Sequence, residues 1–82
     1  MLEWSAPTCI GAPSFAYLDG VILACVNTTA FQEAGKRWCV EIYPKGHREP
    51  GLYAYASSKE RAKGYAERWL DRRLREGWRP KV

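Results

Sequence analysis

Eighty-two residues leave room for one domain built from a single sheet layer and one long helix. A hydrophobic fraction of 46% is normal for a globular chain and makes disorder a poor reading. No apolar run approaches the roughly 18–20 residues that span a bilayer, and Met1-Leu2-Glu3-Trp4-Ser5 lacks the pattern of a signal peptide, so a cytoplasmic protein with no membrane contact is expected.

Residues 1–13 carry Pro7, Gly11 and Pro13 without a clear period and read as an irregular N-terminal arm. Residues 14–18 and 21–26 read as two strands around Asp19-Gly20, a pair suited to a type I′ turn with positive φ at both positions. The second of these strands is apolar on both faces and should be covered or central. Residues 27–35 predict a loop with at most one short helical turn.

Residues 36–43 are the strongest strand signal. Their alternation puts Trp38, Val40 and Ile42 on one face and Arg37, Cys39, Glu41 and Tyr43 on the other. Pro44 to Gly51 predicts a turn-rich hairpin loop, and Leu52 to Ala56 a short last strand. A helix is expected over 57–77, with Ser57-x-x-Glu60 as a capping box, Gly77 as its C-terminal stop and Pro80 beyond. Its apolar stripe is Ala62, Tyr65, Ala66, Trp69 and Leu70. Gly64 lies on the opposite face without an evident reason. The expected fold is α+β: one domain over 1–82, with a three- to four-stranded antiparallel sheet over 14–56 packed on one long C-terminal helix.

Charge is divided unevenly along the chain. Residues 1–34 hold Glu3, Asp19 and Glu33 and no Lys or Arg, a balance of −3. Residues 36–82 hold all 13 basic residues against six acidic ones, a balance of +7. Such a basic half suits an anionic partner, either nucleic acid or an acidic protein surface. On the helix Arg61, Arg68, Arg72 and Arg75 form one ridge, roughly 21 Å long at 1.5 Å per residue. Glu60, Glu67 and Asp71 run beside it, with Arg68–Asp71 and Asp71–Arg75 as expected ion pairs. The ridge reads equally as a salt-bridged solvent face or as a recognition surface, for which the planar guanidinium is well suited.

Little in the chain suggests catalysis. Cys9, Cys25 and Cys39 are odd in number and lack C-x2-C spacing, which argues against a disulfide framework or a zinc site. Cys25 and Cys39 fall in strands and read as reduced core residues. His47 is the single imidazole, in a turn-like stretch, and cannot complete a metal shell or a nucleophile–base pair alone. No P-loop, G-x-G-x-x-G or H-E-x-x-H occurs. A binding protein without cofactor or metal is expected, not an enzyme.

Two segments carry a family resemblance. Gly35-Lys36-Arg37-Trp38-Cys39-Val40-Glu41-Ile42 is similar to the Gly-Lys-Trp-x-Ala-Glu-Ile segment of the plant APETALA2-type DNA-binding domain, and Glu60-Arg61-Ala62-Lys63-Gly64-Tyr65-Ala66 to its Glu-x-Ala-x-x-Ala-Tyr helix. The strand–strand–strand–helix order over 21–77 also resembles the arm-binding domains of tyrosine recombinases. The resemblance implies a sheet laid in the DNA major groove with the helix behind it, so that Glu41 and Tyr43 would face DNA with Arg37 nearby. Where that family reads bases with Arg and Trp, Val21 to Val26 offers no arginine and Leu52 to Ala56 only tyrosines.

Two functions follow as expectations. In the first, a nucleic-acid-binding module makes its contacts through Lys36, Arg37, Tyr43, Lys45, Arg48, Tyr53 and Tyr55, with Arg61, Arg68, Arg72 and Arg75 on phosphates. In the second, the chain is an inhibitor or adaptor of the kind encoded by bacteriophages, docking on a host protein through arginine and aromatic residues. Trp4 and Trp78 are then either exposed anchors or core cover. A homodimer through the apolar first hairpin is compatible with both.

Overall fold

A computed structural model of the chain describes residues 2–6, 12–46 and 48–79, so Cys9 and His47 lie outside the described residues. The architecture is α+β. Strands β1 (Glu3–Trp4), β2 (Ser14–Leu18), β3 (Val21–Thr28), β4 (Trp38–Ile42) and β5 (Leu52–Ala56) form one antiparallel sheet in sequence order, and helix α1 (Lys59–Arg75) covers one face of it. The sheet has one strand more than expected. Glu3 and Trp4, read as part of an irregular arm, pair with Tyr17 and Ala16.

The turn signal of the first hairpin has a visible physical outcome. Asp19 and Gly20 both take positive φ, 51° and 80°, and close the β2–β3 hairpin as a type I′ turn requires. Within that hairpin Ala16 pairs with Ala24 but Tyr17 pairs with Ile22, so Leu23 is an extra residue in β3. This bulge buries Leu23 and Ala24 consecutively and explains why the strand is apolar on both faces. It also presents the Leu23 carbonyl to the Tyr43 N–H at 2.8 Å. β4 begins at Trp38 rather than Lys36, because Ala34–Lys36 forms a turn of 3₁₀-helix. The expected alternation holds: Val40 and Ile42 are buried beneath α1, with Trp38 packed at the margin.

The core lies between that sheet face and α1. Ala16, Leu23, Ala24, Val26, Val40 and Ile42 from the sheet meet Ala62, Ala66 and Leu70 from the helix, and Leu2 closes one end. Alanines at i and i+4 keep the helix surface flat, so its backbone lies close over β3, β4 and β5. Trp69, Trp78 and Trp4 pack around this core. Trp78 meets Trp69 edge to face at 5.3 Å, and the Lys63 ammonium lies 5.3 Å from the Trp4 ring. Both outlying tryptophans therefore serve as half-buried cover.

The helix ends differ in how closely they follow the sequence signals. At the C-terminus Gly77 has φ 90°; its N–H bonds Leu74 O at 3.1 Å and the Trp78 N–H bonds Arg73 O at 2.9 Å, a Schellman motif. At the N-terminus the cap is Ser58, not Ser57. Its Oγ accepts from the Arg61 N–H at 3.2 Å, so the capping box with Glu60 is not formed. Pairing of Ala56 with Trp38 holds the chain in the sheet one residue too long for Ser57 to cap. Glu60 still lies in the first turn, where the helix dipole favours it.

Gly64 lies beneath the Arg68 side chain. A methyl group there would sit 3.1 Å from a terminal nitrogen of Arg68, whose guanidinium folds back over the glycine. That nitrogen is the far end of a flexible side chain, and Gly64 lies in regular helix. Gly64→Ala is therefore expected to stabilise the fold by about 0.5–1 kcal/mol, read as a higher midpoint in urea unfolding at unchanged slope.

Among the described residues no helix is long and apolar enough to cross a membrane.

Candidate functional site

The sheet face away from α1 follows from register. Cys25 stands between Phe15 and Glu41 across the strands, and Glu41 is followed by Tyr53; the next row is Asn27, Cys39 and Tyr55. This face is aromatic and thiol-bearing, with Glu41 near its middle, Glu3 at its β1 edge and no arginine from any strand. Cys39 is buried, and its Sγ lies 3.6 Å from the Tyr53 hydroxyl. Cys25 and Cys39 are thus free thiols under the open face, not part of the core beneath the helix. Burial, then the neighbouring Cys39 and Glu41, push the Cys25 thiol above its usual range.

Tyr43 donates its hydroxyl proton to Glu41 Oε1 at 2.9 Å. Burial first, and this hydrogen bond second, raise its pKa above the ordinary tyrosine value. Because the folded state holds that proton more tightly, the contribution is complete below the ordinary tyrosine pKa. It is lost as pH rises above that value toward the folded one. In an alkaline absorbance titration Tyr43 is expected to ionise above the ordinary tyrosine range. Tyr43→Phe should delete one such late step and flatten the loss of stability at high pH.

At the C-terminal end of β5 the loop over residues 29–37 folds onto the open face. Thr29 closes it: its N–H bonds Arg37 O at 2.9 Å, while its hydroxyl donates to Lys36 O and accepts from the Phe31 N–H at 3.2 Å. Phe31 then meets Tyr55 edge to face at 5.4 Å, and Tyr53 lies 5.9 Å from Tyr55. The Lys36 ammonium sits 5.7 Å from the Phe31 ring and 5.9 Å from the Tyr55 ring, with Glu33 at 3.4 Å. The result is a fixed aromatic platform with one cation at its margin.

Around the β5 edge this platform opens into a groove of about 490 Å³ lined by Gly35, Tyr55, Ala56, Ser57, Arg61, Tyr65 and Arg68. Two arginines and two half-exposed tyrosines share it, and among the described residues no carboxylate lines it. A second groove of about 410 Å³ shares Arg68 and continues along the helix past Asp71, Arg72, Arg75 and Glu76. Asp71 pairs with Arg75 at 3.0 Å, and the expected Arg68–Asp71 bridge is not made. Among the described residues Arg61, Arg68 and Arg72 form no salt bridge, whereas Arg73 is held by Glu76 at 3.5 Å.

The expected contact residues are thus divided. Lys36, Tyr53, Tyr55, Arg61 and Arg68 converge at the β5 edge, and Arg72 and Arg75 extend the line. Arg37 lies beside Phe31, Gln32 and Trp38 in another shallow groove. Lys45 and Arg48 are exposed in the β4–β5 loop, at the far end of β5, and Tyr43 is engaged with Glu41. Tyr65, expected in the apolar stripe, is instead 45% exposed. Its helical angle lies about 100° from Ala66's toward Arg61, Arg68 and Arg72, and the 62–66–70 line takes the sheet contact. That angular position was the available signal for assigning it to the groove. Phe31 gave no such signal, since only the folded loop brings it to Tyr55.

Comparison with protein-family models, curated proteins and solved structures finds no match to this chain.

Proposed function

We propose that the protein is a non-enzymatic nucleic-acid-binding module that holds single strands along the β5–α1 edge. The observation that carries this reading is the groove, without a carboxylate among the described residues, in which Arg61 and Arg68 stand beside Tyr55 and Tyr65. Single-strand binding needs aromatic faces for bases and unpaired cations for phosphates, in a line that follows the backbone. Tyr53, Tyr55 and Tyr65 offer the faces, and Arg61, Arg68 and Arg72 the cations. Reading of duplex bases is less well supported, because the open sheet face presents Glu41 and tyrosines where base edges require Arg, Asn or Gln.

Fluorescence anisotropy with a labelled single-stranded oligonucleotide tests this at two salt concentrations, with duplex of the same length as comparison. Expected is single-strand binding that weakens steeply with salt and a loss of about 1–3 kcal/mol in Tyr55→Ala. Absence of single-strand binding at about 50 mM salt would remove the reading. A host-protein inhibitor or adaptor draws on the same exposed Tyr53, Tyr55 and Arg68, residue types that dominate protein interfaces. That alternative gains from the same negative result.

A further inference from the structure

The five large hydrophobic side chains most exposed among the described residues are Phe31, Leu52, Tyr53, Tyr55 and Tyr65. All lie on β5 or against it: three belong to the strand, Phe31 stacks on Tyr55, and Tyr65 shares a groove with Tyr55. β5 is also an open edge. The opposite edge is the two-residue β1, and the Phe15 N–H and C=O of β2 are both taken by Ser5, at 2.9 and 2.8 Å. No such bond reaches the outer side of β5 among the described residues. The strand reads Leu-Tyr-Ala-Tyr-Ala, without the charge or proline by which edge strands are protected from pairing.

We propose that β5 pairs antiparallel with β5 of a second copy about Ala54, joining two sheets into one of ten strands. Isologous pairing demands a self-complementary strand, because every contact is made twice. Tyr53-Ala54-Tyr55 meets that demand. With Ala54 opposite the partner's Ala54, each Tyr53 faces the partner's Tyr55, giving four tyrosines on the open side. On the helix side Leu52, 47% exposed, faces the partner's Ala56, a wall of the groove beside Tyr65.

The pairing strand is thereby β5 and not the first hairpin, whose two strands lie between β1 and β4. The incoming strand runs along Tyr55 to Ser57, so self-association and a bound single strand compete for one edge. The pairing itself does not depend on nucleic-acid binding and is tested without nucleic acid.

Sedimentation equilibrium from about 10 µM to about 1 mM is expected to show a mass rising toward twice the chain's 9.4 kDa. Leu52→Lys, which alters no residue assigned to nucleic-acid contact, should remain monomeric with an unchanged far-UV spectrum. Tyr53→Lys with Tyr55→Lys should be monomeric as well, and so should Tyr53→Glu with Tyr55→Glu. Mixing those two proteins should restore the dimer, since the register sets each Lys against a Glu. A monomer at every wild-type concentration overturns the proposal. So does a dimer that Leu52→Lys leaves intact, or a mixture of the two folded charge variants that stays monomeric.

Discussion

Gly51→Ala is expected to be among the most destabilising single substitutions in this protein, by about 3 kcal/mol, with Tm lower by about 12–24 °C in a domain of this size. A methyl group at Gly51 would stand 2.3 Å from Ile42 O and 2.9 Å from Glu41 Cγ. Neither the β4 carbonyl nor the strand behind it can move aside cheaply. Ile42 is 1% exposed beneath α1, and it pairs with Leu52, the residue next to Gly51. Relief requires the end of β4 and the start of β5 to separate, which also displaces Tyr53 and Tyr55. The constraint is close backbone approach and not a positive φ, so every side chain larger than hydrogen is excluded equally. Gly35→Ala is the control. A methyl group at Gly35 would meet nothing within 4 Å, and the residue's φ is not in the left-handed region, so stability should stay within about 0.5–1 kcal/mol of the parent. Thermal unfolding of the two variants side by side decides the point. Equal midpoints would show that the end of β4 and the start of β5 yield to a methyl group at little cost.

The second large effect concerns the ridge. Arg61→Gln, Arg68→Gln and Arg72→Gln together remove three cations that make no salt bridge among the described residues. For a single strand each phosphate contact contributes about −0.7 to the slope of log K against log salt. The triple variant is therefore expected to flatten that slope by about 2 units. Three such contacts also mean that raising salt fourfold weakens the parent about twentyfold through these arginines alone. Arg75→Gln should change the slope less, because Asp71 already holds that guanidinium at 3.0 Å. Stability should scarcely respond, since exposed charges contribute little to folding. A slope that the triple variant leaves unaltered would remove the ridge from phosphate binding. Affinity lost at constant slope would assign these arginines to another kind of contact.

Much of the fold was legible locally because some residues admit few backbone solutions. Asp19-Gly20 specifies the hairpin through its positive φ values, and Gly77 stops the helix in the same way. The alternation of Val40 and Ile42 against Cys39 and Glu41 assigned the faces of β4 before any partner strand was known. The misread positions are those where two local solutions were nearly equal. Ser57 and Ser58 are both competent caps, and sheet pairing at Ala56 chose the second. Glu3 and Trp4 have no strand signal of their own and become strand only because β2 offers them an edge.

The candidate site divides along the same line. By itself the sequence determined that the basic charge lies after Gly35, that Arg61, Arg68, Arg72 and Arg75 share one helix flank, and that β5 is tyrosine-rich and uncharged. Helical and strand periodicities are properties of short segments and need no tertiary knowledge. Only the tertiary structure decided which arginine a carboxylate neutralises, that Phe31 and Lys36 close over Tyr55, and that Tyr65 faces the groove instead of the core. Those outcomes depend on which flank of α1 lies over β5, on the Thr29-closed loop, and on the competition of Arg68 and Arg75 for Asp71. Each is set by contacts between residues distant in sequence or by a choice among near-equal partners, which periodicity does not encode.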